Sequence, residues 1–487
     1  MKNNATLSPI KKKIYIIVMH NDDHLETDEN GLLLLKSIPE SDDFSETIDI
    51  KTRSRNNTTS SQMNNTTRMR KRSRTDSVVS SIMDAVEQIK VNNEHTDMNT
   101  KDPGLKPDDF YKKRMSSLRY RLRTLLLSFV KNETKPLVYI QENFRNFVLD
   151  EYFIYSANLG SHFFYVICLP MTRWIPISGN HDYSRDLIYL LAFSIYLSGL
   201  IKDYLCLPRP KAPPIIRITH SEYTTKEYGA PSSHTANATA VTFYVLLQLC
   251  LSIKQFSIKQ IILFFGMISM YYTTLTFGRL YSGMHGFFDL ESGALIGLLT
   301  LAVRLVSKNY LDYYLLPKSS ILYPIGHVLF GYCLLFFHTH PVEMCPCYED
   351  SVSFIGVVGG LEISDWLCYK LGQNYLPWVK SESLSYLLPL PLNEVTDSNT
   401  KVILLRLLIG VSSVLLWKEV ITVFITKKIF KLKTTSILSN KTLKQEEIKE
   451  FEQLPITVVL LRYWIYAGIA IVSCFVAPVI FSVFGLV

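Results

Sequence analysis

From residue 152 to its end the sequence keeps returning to apolar stretches of about twenty residues, each close to the length of one bilayer crossing. They fall near 152–171, 187–201, 235–253, 259–277, 290–306, 321–338, 351–368, 402–426 and 456–486, and the seventh is interrupted by Glu362 and Asp365. Lipid offers no partner to a backbone N–H or C=O, so a spanning segment must satisfy those groups within a helix or a closed barrel. No run alternates with the period of two that a barrel strand needs. The pattern predicts an all-α fold, a polytopic membrane helix bundle of about eight or nine transmembrane helices. Only 19% of the residues are charged, against roughly 25% in soluble proteins, which excludes a soluble multidomain enzyme.

The chain before the first span differs in kind. Residues 1–110 are rich in Ser, Thr, Asn, Lys and Asp and poor in aromatics. They bury too little apolar area to offset chain entropy, which predicts a disordered, basic N-terminal tail. Its densest charge, Arg68-Met-Arg-Lys-Arg-Ser-Arg74, reads first as a solvated run that biases topology. A second reading is an attachment to anionic lipid tuned by phosphorylation at Ser73, Thr75 or Ser77. Tyr15 to Met19 is too short for the core of a signal peptide, and no nucleic-acid partner is expected. Residues 111–150 interleave Lys112, Lys113, Arg114, Arg119, Arg121 and Arg123 with Leu118, Leu122, Leu125 and Phe129. That mixture suits a basic amphipathic segment lying in the membrane interface, or an amphipathic helix packed on the membrane domain. Eight cysteines are too few and scattered for a disulfide framework; only Cys345-Pro-Cys347 has the proximity to bridge, and two cysteines alone make a poor zinc site.

Three polar stretches stand at the ends of apolar spans, where ionisable groups are costly. Lys202 to Pro210 follows the span ending at Ile201, Pro231-Ser232-Ser233-His234 opens the next, and Arg279 to Asp289 lies between two more. Two helices separate His234 from Arg279, so all three stretches lie on one side of the membrane. Lys202, Arg209 and Arg279 would supply three cations, and the arginine fork matches two phosphate oxygens at once. Pro208 and Pro210 keep the chain around Arg209 extended. Pro231 at a helix start leaves the amides of Ser232, Ser233 and His234 to face an anion. The set reads as a phosphate cradle that uses no metal and no cofactor, since no carboxylate cluster of the kind that holds magnesium accompanies it.

His285 and Asp289 are one helical turn apart, so the carboxylate can hold one ring nitrogen and leave the other as a nucleophile. His234 is then available as the acid that protonates the departing alkoxide and as the base for the attacking water. Developing charge on the phosphoryl oxygens is what the three cations stabilise.

Lys202-x6-Arg209-Pro210, Pro231-Ser-x-His234 and Arg279-x5-His285-x3-Asp289 together resemble the three-part signature of the type 2 phosphatidic acid phosphatase superfamily, over roughly residues 152–306. Lys211-Ala-Pro-Pro-Ile-Ile-Arg-Ile-Thr219 and Glu227-Tyr-Gly-Ala-Pro-Ser-Ser-His234 resemble more narrowly its sphingosine-1-phosphate phosphatase branch, the fungal dihydrosphingosine 1-phosphate phosphatases above all. The resemblance implies hydrolysis of sphingoid base 1-phosphates through a phosphohistidine in a multi-pass endoplasmic reticulum protein, with a lumenal site and the lipid bilayer and a lipid substrate as partners. It puts the nucleophile on His285, the orienting carboxylate on Asp289, the leaving-group acid on His234 and phosphate ligands on Lys202, Arg209, Ser232, Ser233 and Arg279. The superfamily usually has Gly where this chain has Ser233, and Ser where it has Gly278. Alternatives are a broader lipid phosphate phosphatase, a phosphotransferase passing the phosphoryl group to an alcohol, and a non-enzymatic lipid transporter. The organisation expected is a tail (1–110), an interfacial segment (111–150), a catalytic core (151–306) and additional membrane helices (307–487).

Two questions stay open at this level. Two spans before Lys202 put the site on the side of the tail, whose Lys and Arg excess favours the cytosol, whereas the resemblance implies the lumen; either the tail is lumenal or residues 111–150 add a crossing. Four acids, Glu227, Glu291, Glu362 and Asp365, are candidates to meet a substrate ammonium, and the last two equally suit pairing with Lys or Arg on a neighbouring helix.

Overall fold

The computed structural model describes residues 26–27, 33–34, 102–175, 182–318, 320–371, 400–425 and 456–486. The chain divides into two units, Met1–Val79 and Ser80–Val487. In the first, β1 (Glu26–Thr27) pairs antiparallel with β2 (Leu33–Leu34). Of the tail expected to be disordered, residues 26–27, 33–34 and 102–110 are described, the last of these running into the first helix, and its basic run lies outside the described residues.

The second unit is helical among its described residues. Four helices come first: α1 (Asp108–Arg114), α2 (Ser117–Asn132), α3 (Thr134–Phe144) and α4 (Phe147–Ser156). The bundle follows as α5 (His162–Trp174), α6 (Asp182–Leu205), α7 (Ser233–Leu251), α8 (Ile258–Tyr281) and α9 (Phe287–Lys308). It continues with α10 (Leu322–Phe337), α11 (Cys347–Lys370), α12 (Thr400–Leu415), α13 (Ile456–Ile471) and α14 (Ala477–Val483). Among the described residues, six helical stretches are long and apolar enough to cross a membrane, at Tyr183–Leu205, Ile258–Tyr281, Phe287–Asp312, Cys347–Lys370, Thr400–Phe424 and Ile456–Val483, with Leu322–Phe337 a shorter apolar helix.

The first expected span, 152–171, is not one helix. α4 stops at Ser156, a 3₁₀ turn covers Ala157–Gly160, and Ser161 caps α5 by accepting the Phe164 amide. Gly160-Ser161 is a local stop and start signal that mean hydropathy averages away. α2 lies across one end of the bundle. Arg119, near its start, donates to the Asp203 and Tyr204 carbonyls at the end of α6, and Glu133, just past its end, accepts the Phe288 amide at the start of α9. Gln141 of α3 bonds Ile216 and the Tyr281 carbonyl, and Tyr152 of α4 bonds Thr274, so α2 to α4 all touch the end where α6 and α8 finish.

The opposite end is tied by buried ions. Arg185 pairs with Asp312, Glu362 and Asp365; Arg173 pairs with Asp365; Arg304 and Lys308 pair with Asp186, and Arg304 also with Asp312. Four cations thus meet four carboxylates, and the match offsets a desolvation cost of several kcal/mol per ion. Glu362 and Asp365 are therefore occupied here, and Tyr189 and Tyr323 add hydrogen bonds to Glu362.

α7 packs against α6, α8 and α9. Its approach to α9 depends on Gly293 and Gly297: a Cβ on either would stand 2.5 Å from the Ser232 carbonyl oxygen or 2.4 Å from that of Ala236. This small-xxx-small stripe lets two backbones touch without side chains between them. It sets the distance between the helix that begins at Ser233 and the one that carries Asp289.

Candidate active site

α6 carries Lys202 in its last turn and ends where Cys206 adopts φ 51°. The extended Leu207-Pro208-Arg209-Pro210 that follows is stitched to the loop before α7, with the Gly229 amide on the Leu207 carbonyl at 2.8 Å. Backbone carbonyls hold the Arg209 guanidinium: Nε donates to Glu227 at 3.0 Å, NH2 to Thr224 at 2.7 Å and NH1 to Met284 at 2.6 Å. Its direction is thus decided by the fold before any ligand arrives, the condition for electrostatic preorganisation.

α8 ends with Arg279 in its last turn, and the turn into α9 closes through Met284 and His285 amides on the Arg279 carbonyl at 3.1 and 3.3 Å. Gly283 sits at φ 64°, and a Cβ there would lie 2.5 Å from Ile215 Cγ2, so this corner admits only glycine. Asp289, in the first turn of α9, accepts the Gly286 amide at 3.0 Å and faces His285 Nδ1 at 3.2 Å through the same oxygen, Oδ2. The other ring nitrogen, Nε2, is 3.2 Å from Arg209 NH1. A guanidinium only donates and a carboxylate only accepts, so Nδ1 carries the proton and Nε2 presents its lone pair. Burial, and after it the charges of Arg209, Lys202, Arg279 and His234, hold His285 well below the usual imidazole range, which keeps the ring neutral.

Lys202, Arg209 and Arg279 are 1%, 4% and 7% exposed, so three cations share one desolvated space. Lys202 Nζ contacts Glu227 Oε2 and lies 3.5 Å from Ser233 Oγ. Arg279 Nε has no hydrogen-bond partner among the described residues. An excess of buried positive charge with an unmet donor is an anion site.

Ser233 and His234 are half-buried at the start of α7, and the His234 ring lies over Gly160, where a Cβ would come within 2.5 Å of Cδ2. Ser232 departs from the expectation of an amide left to face an anion. It is fully buried, its hydroxyl caps α7 by accepting the Thr235 amide, and its own amide donates to the Asp289 carbonyl at 2.8 Å. Its place is the joint between α7 and α9, and of the first amides of α7, those at Ser233 and His234 head the helix. At Gly278 a side chain would run into Phe153, 2.7 Å from the Cβ position.

The C-terminal half supports this end in ways that sequence reading missed. Glu343 accepts from Gly104 and from the hydroxyls of Tyr111 and Tyr228, and Asp350 accepts from Tyr223 at 2.8 Å. Tyr223 and Tyr228 lie on either side of Glu227 in the chain, so residues distant in sequence brace the loop before α7. Nothing in the local pattern marks such partners. Cys345 and Cys347 sit close by, their Sγ atoms 2.6 Å apart.

A helix bundle that gathers Lys, Arg, His and Asp in this order at one end defines a class of phosphoryl-handling membrane proteins. Residues 184–312 match the PAP2 superfamily, and the chain belongs to it. It is 41% identical over 389 residues to the dihydrosphingosine 1-phosphate phosphatase YSR3 of Saccharomyces cerevisiae, covering 78% of this chain and 91% of that protein. A dihydrosphingosine 1-phosphate phosphatase of Schizosaccharomyces pombe is 39% identical over 325 residues, 65% of this chain and 73% of the relative. Sphingosine-1-phosphate phosphatase 2 of Homo sapiens is 28% identical over 245 residues, 49% of this chain and 57% of the relative. No solved structure matches the chain.

Proposed function

We propose that the protein hydrolyses sphingoid base 1-phosphates, such as dihydrosphingosine, phytosphingosine or sphingosine 1-phosphate, to the free base and phosphate. The names of its relatives support the substrate class. The observation that carries the chemistry is the doubly held imidazole of His285, with Asp289 on Nδ1 and the phosphate-facing Arg209 beside Nε2.

Nε2 attacks phosphorus as the ester P–O bond breaks, and His234 gives its proton to the departing alkoxide. Asp289 stabilises the positive charge that His285 gains. Water then attacks phosphorus as the P–Nε2 bond breaks, His234 takes the water's proton, and inorganic phosphate leaves with His285 neutral again. Lys202, Arg209, Arg279 and the head of α7 at Ser233 bear the charge on the equatorial oxygens. In this reading 151–306 is the catalytic core, 111–150 lies in the interface and 307–487 adds membrane helices that brace the core. The membrane is that of the endoplasmic reticulum, with the site facing the lumen.

Purified protein in detergent, with EDTA in excess, should hydrolyse long-chain base phosphate in preference to phosphatidate and ceramide phosphate. Acid-quenched protein should carry phosphate on His285. A strict magnesium requirement, or phosphate on another residue, refutes the reading.

A further inference from the structure

The cradle contains an acid that hydrolysis of a phosphomonoester does not require. Glu227 is 8% exposed, with Oε2 on the Lys202 ammonium and 3.8 Å from Arg209 NH2. Among the described residues it is the carboxylate paired with the cradle cations. Its backbone is fixed, since its carbonyl receives Arg209 Nε and its neighbours Tyr228 and Gly229 are tied to Glu343 and Leu207. Only the side chain is able to move. A carboxylate here opposes the phosphate with which it shares Lys202, and for a neutral-tailed phosphate that opposition has no return.

A long-chain base 1-phosphate is different, because its ammonium sits on the carbon next to the one bearing the phosphate. Three buried cations repel that ammonium, and a carboxylate within one side chain's reach of Lys202 is placed to offset the repulsion. Of the other acids, Glu362 and Asp365 are paired at the far end of the bundle, Glu291 is exposed, and Asp289 holds His285 and Gly286; Asp203, buried next to Lys202 in the chain, faces His338 at 3.9 Å and forms no ion pair with the cradle cations among the described residues. We propose that Glu227 is the specificity-determining residue for a cationic headgroup: as phosphate takes Lys202, the Glu227 carboxylate turns to the substrate's ammonium. This rests on the reading of the site as a long-chain base phosphate phosphatase.

The test compares kcat/KM on long-chain base phosphate with that on its N-acylated analogue, uncharged at nitrogen, for wild type, Glu227→Gln and Glu227→Asp. In Glu227→Gln the ratio of the two should fall about tenfold or more, the scale expected when one partner of a buried charge pair is lost. Inhibition by vanadate should tighten, because Lys202 is released. Glu227→Asp keeps the charge and should keep the amine preference; it decides the matter if the Gln variant does not fold. An unchanged ratio in Glu227→Gln, or a ratio lost equally in Glu227→Asp and Glu227→Gln, overturns the proposal. A wild-type protein inactive on both substrates refutes the phosphatase reading instead.

Discussion

His285 Nε2 stands 3.2 Å from Arg209 NH1, so the nitrogen proposed as the nucleophile and the guanidinium proposed to hold the phosphate oxygens face each other across one hydrogen bond. A phosphate entering between them replaces that bond with two interactions, one to each partner. The nucleophile is thereby aimed at the place where Arg209 binds.

His285→Ala should abolish turnover, by about a thousandfold or more, together with the trapped phosphoenzyme. His234→Ala should lose turnover on lipid substrate yet still become phosphorylated by an aryl phosphate, whose leaving group needs no proton. Rapid-quench labelling with both substrates checks this; equal damage by both variants on both substrates contradicts the division of roles.

Stability should fall as pH drops below about 6.5, the ordinary value for an exposed imidazole. His285 is held below that value by burial and neighbouring cations, and His338 is lowered to about 4 by burial. Both stay neutral in the folded protein while the unfolded chain takes up protons, so the stabilisation present above pH 6.5 is lost on acidification. The loss approaches about 1.4 kcal/mol per pH unit for each group between its two pKa values. Melting of wild type, His285→Asn and His338→Gln in detergent from pH 7.5 to 5.5 should show a shallower decline in each variant.

Gly297→Val should damage activity without touching the site. Its side chain would meet the Ala236 carbonyl and Thr239, pushing α9 from α7 and parting Asp289 from Ser232. Overpacking of this kind costs about 1–3 kcal/mol, and a displacement near 1 Å costs roughly a hundredfold in rate. Gly326→Val, where a Cβ meets nothing within 4 Å, is the control on both melting and kcat.

Asn132, exposed at the end of α2, and Lys211, exposed after the first motif, should lie on one side of the membrane. Single cysteines at these positions, in a background lacking the exposed Cys250 and Cys333, should react with an impermeant maleimide from the same side of sealed microsomes. Labelling from opposite sides would require a crossing between them. The side that reacts also decides between a lumenal and a cytosolic site.

The membrane character and the three motifs were legible in the sequence because both are local. Mean hydropathy over twenty residues needs no tertiary context, and the spacing of His285 and Asp289 is one helical turn whatever surrounds it. The same locality misjudged two elements. The apolar run at 152–171 hides a cap at Ser161 that breaks it, and Ser232 reads as an anion ligand until its amide is seen on Asp289.

Charge pairing was the part that only tertiary structure could decide. Glu227, Glu291, Glu362 and Asp365 were all candidates along the chain, since each is an acid near or within a span. Folding sent Glu362 and Asp365 to Arg185 and Arg173 at one end of the bundle and Glu227 to Lys202 at the other. An ion's partner depends on which helix ends meet, and that depends on contacts such as Gly297 against Ala236, where two helices distant in pattern come together. Sequence thus determined which residues are candidates for phosphate chemistry in a membrane. The packing of α6, α7 and α9 determined which of them stand close enough to do it, because Coulomb and hydrogen-bond energies act over a few ångströms of space rather than along the chain.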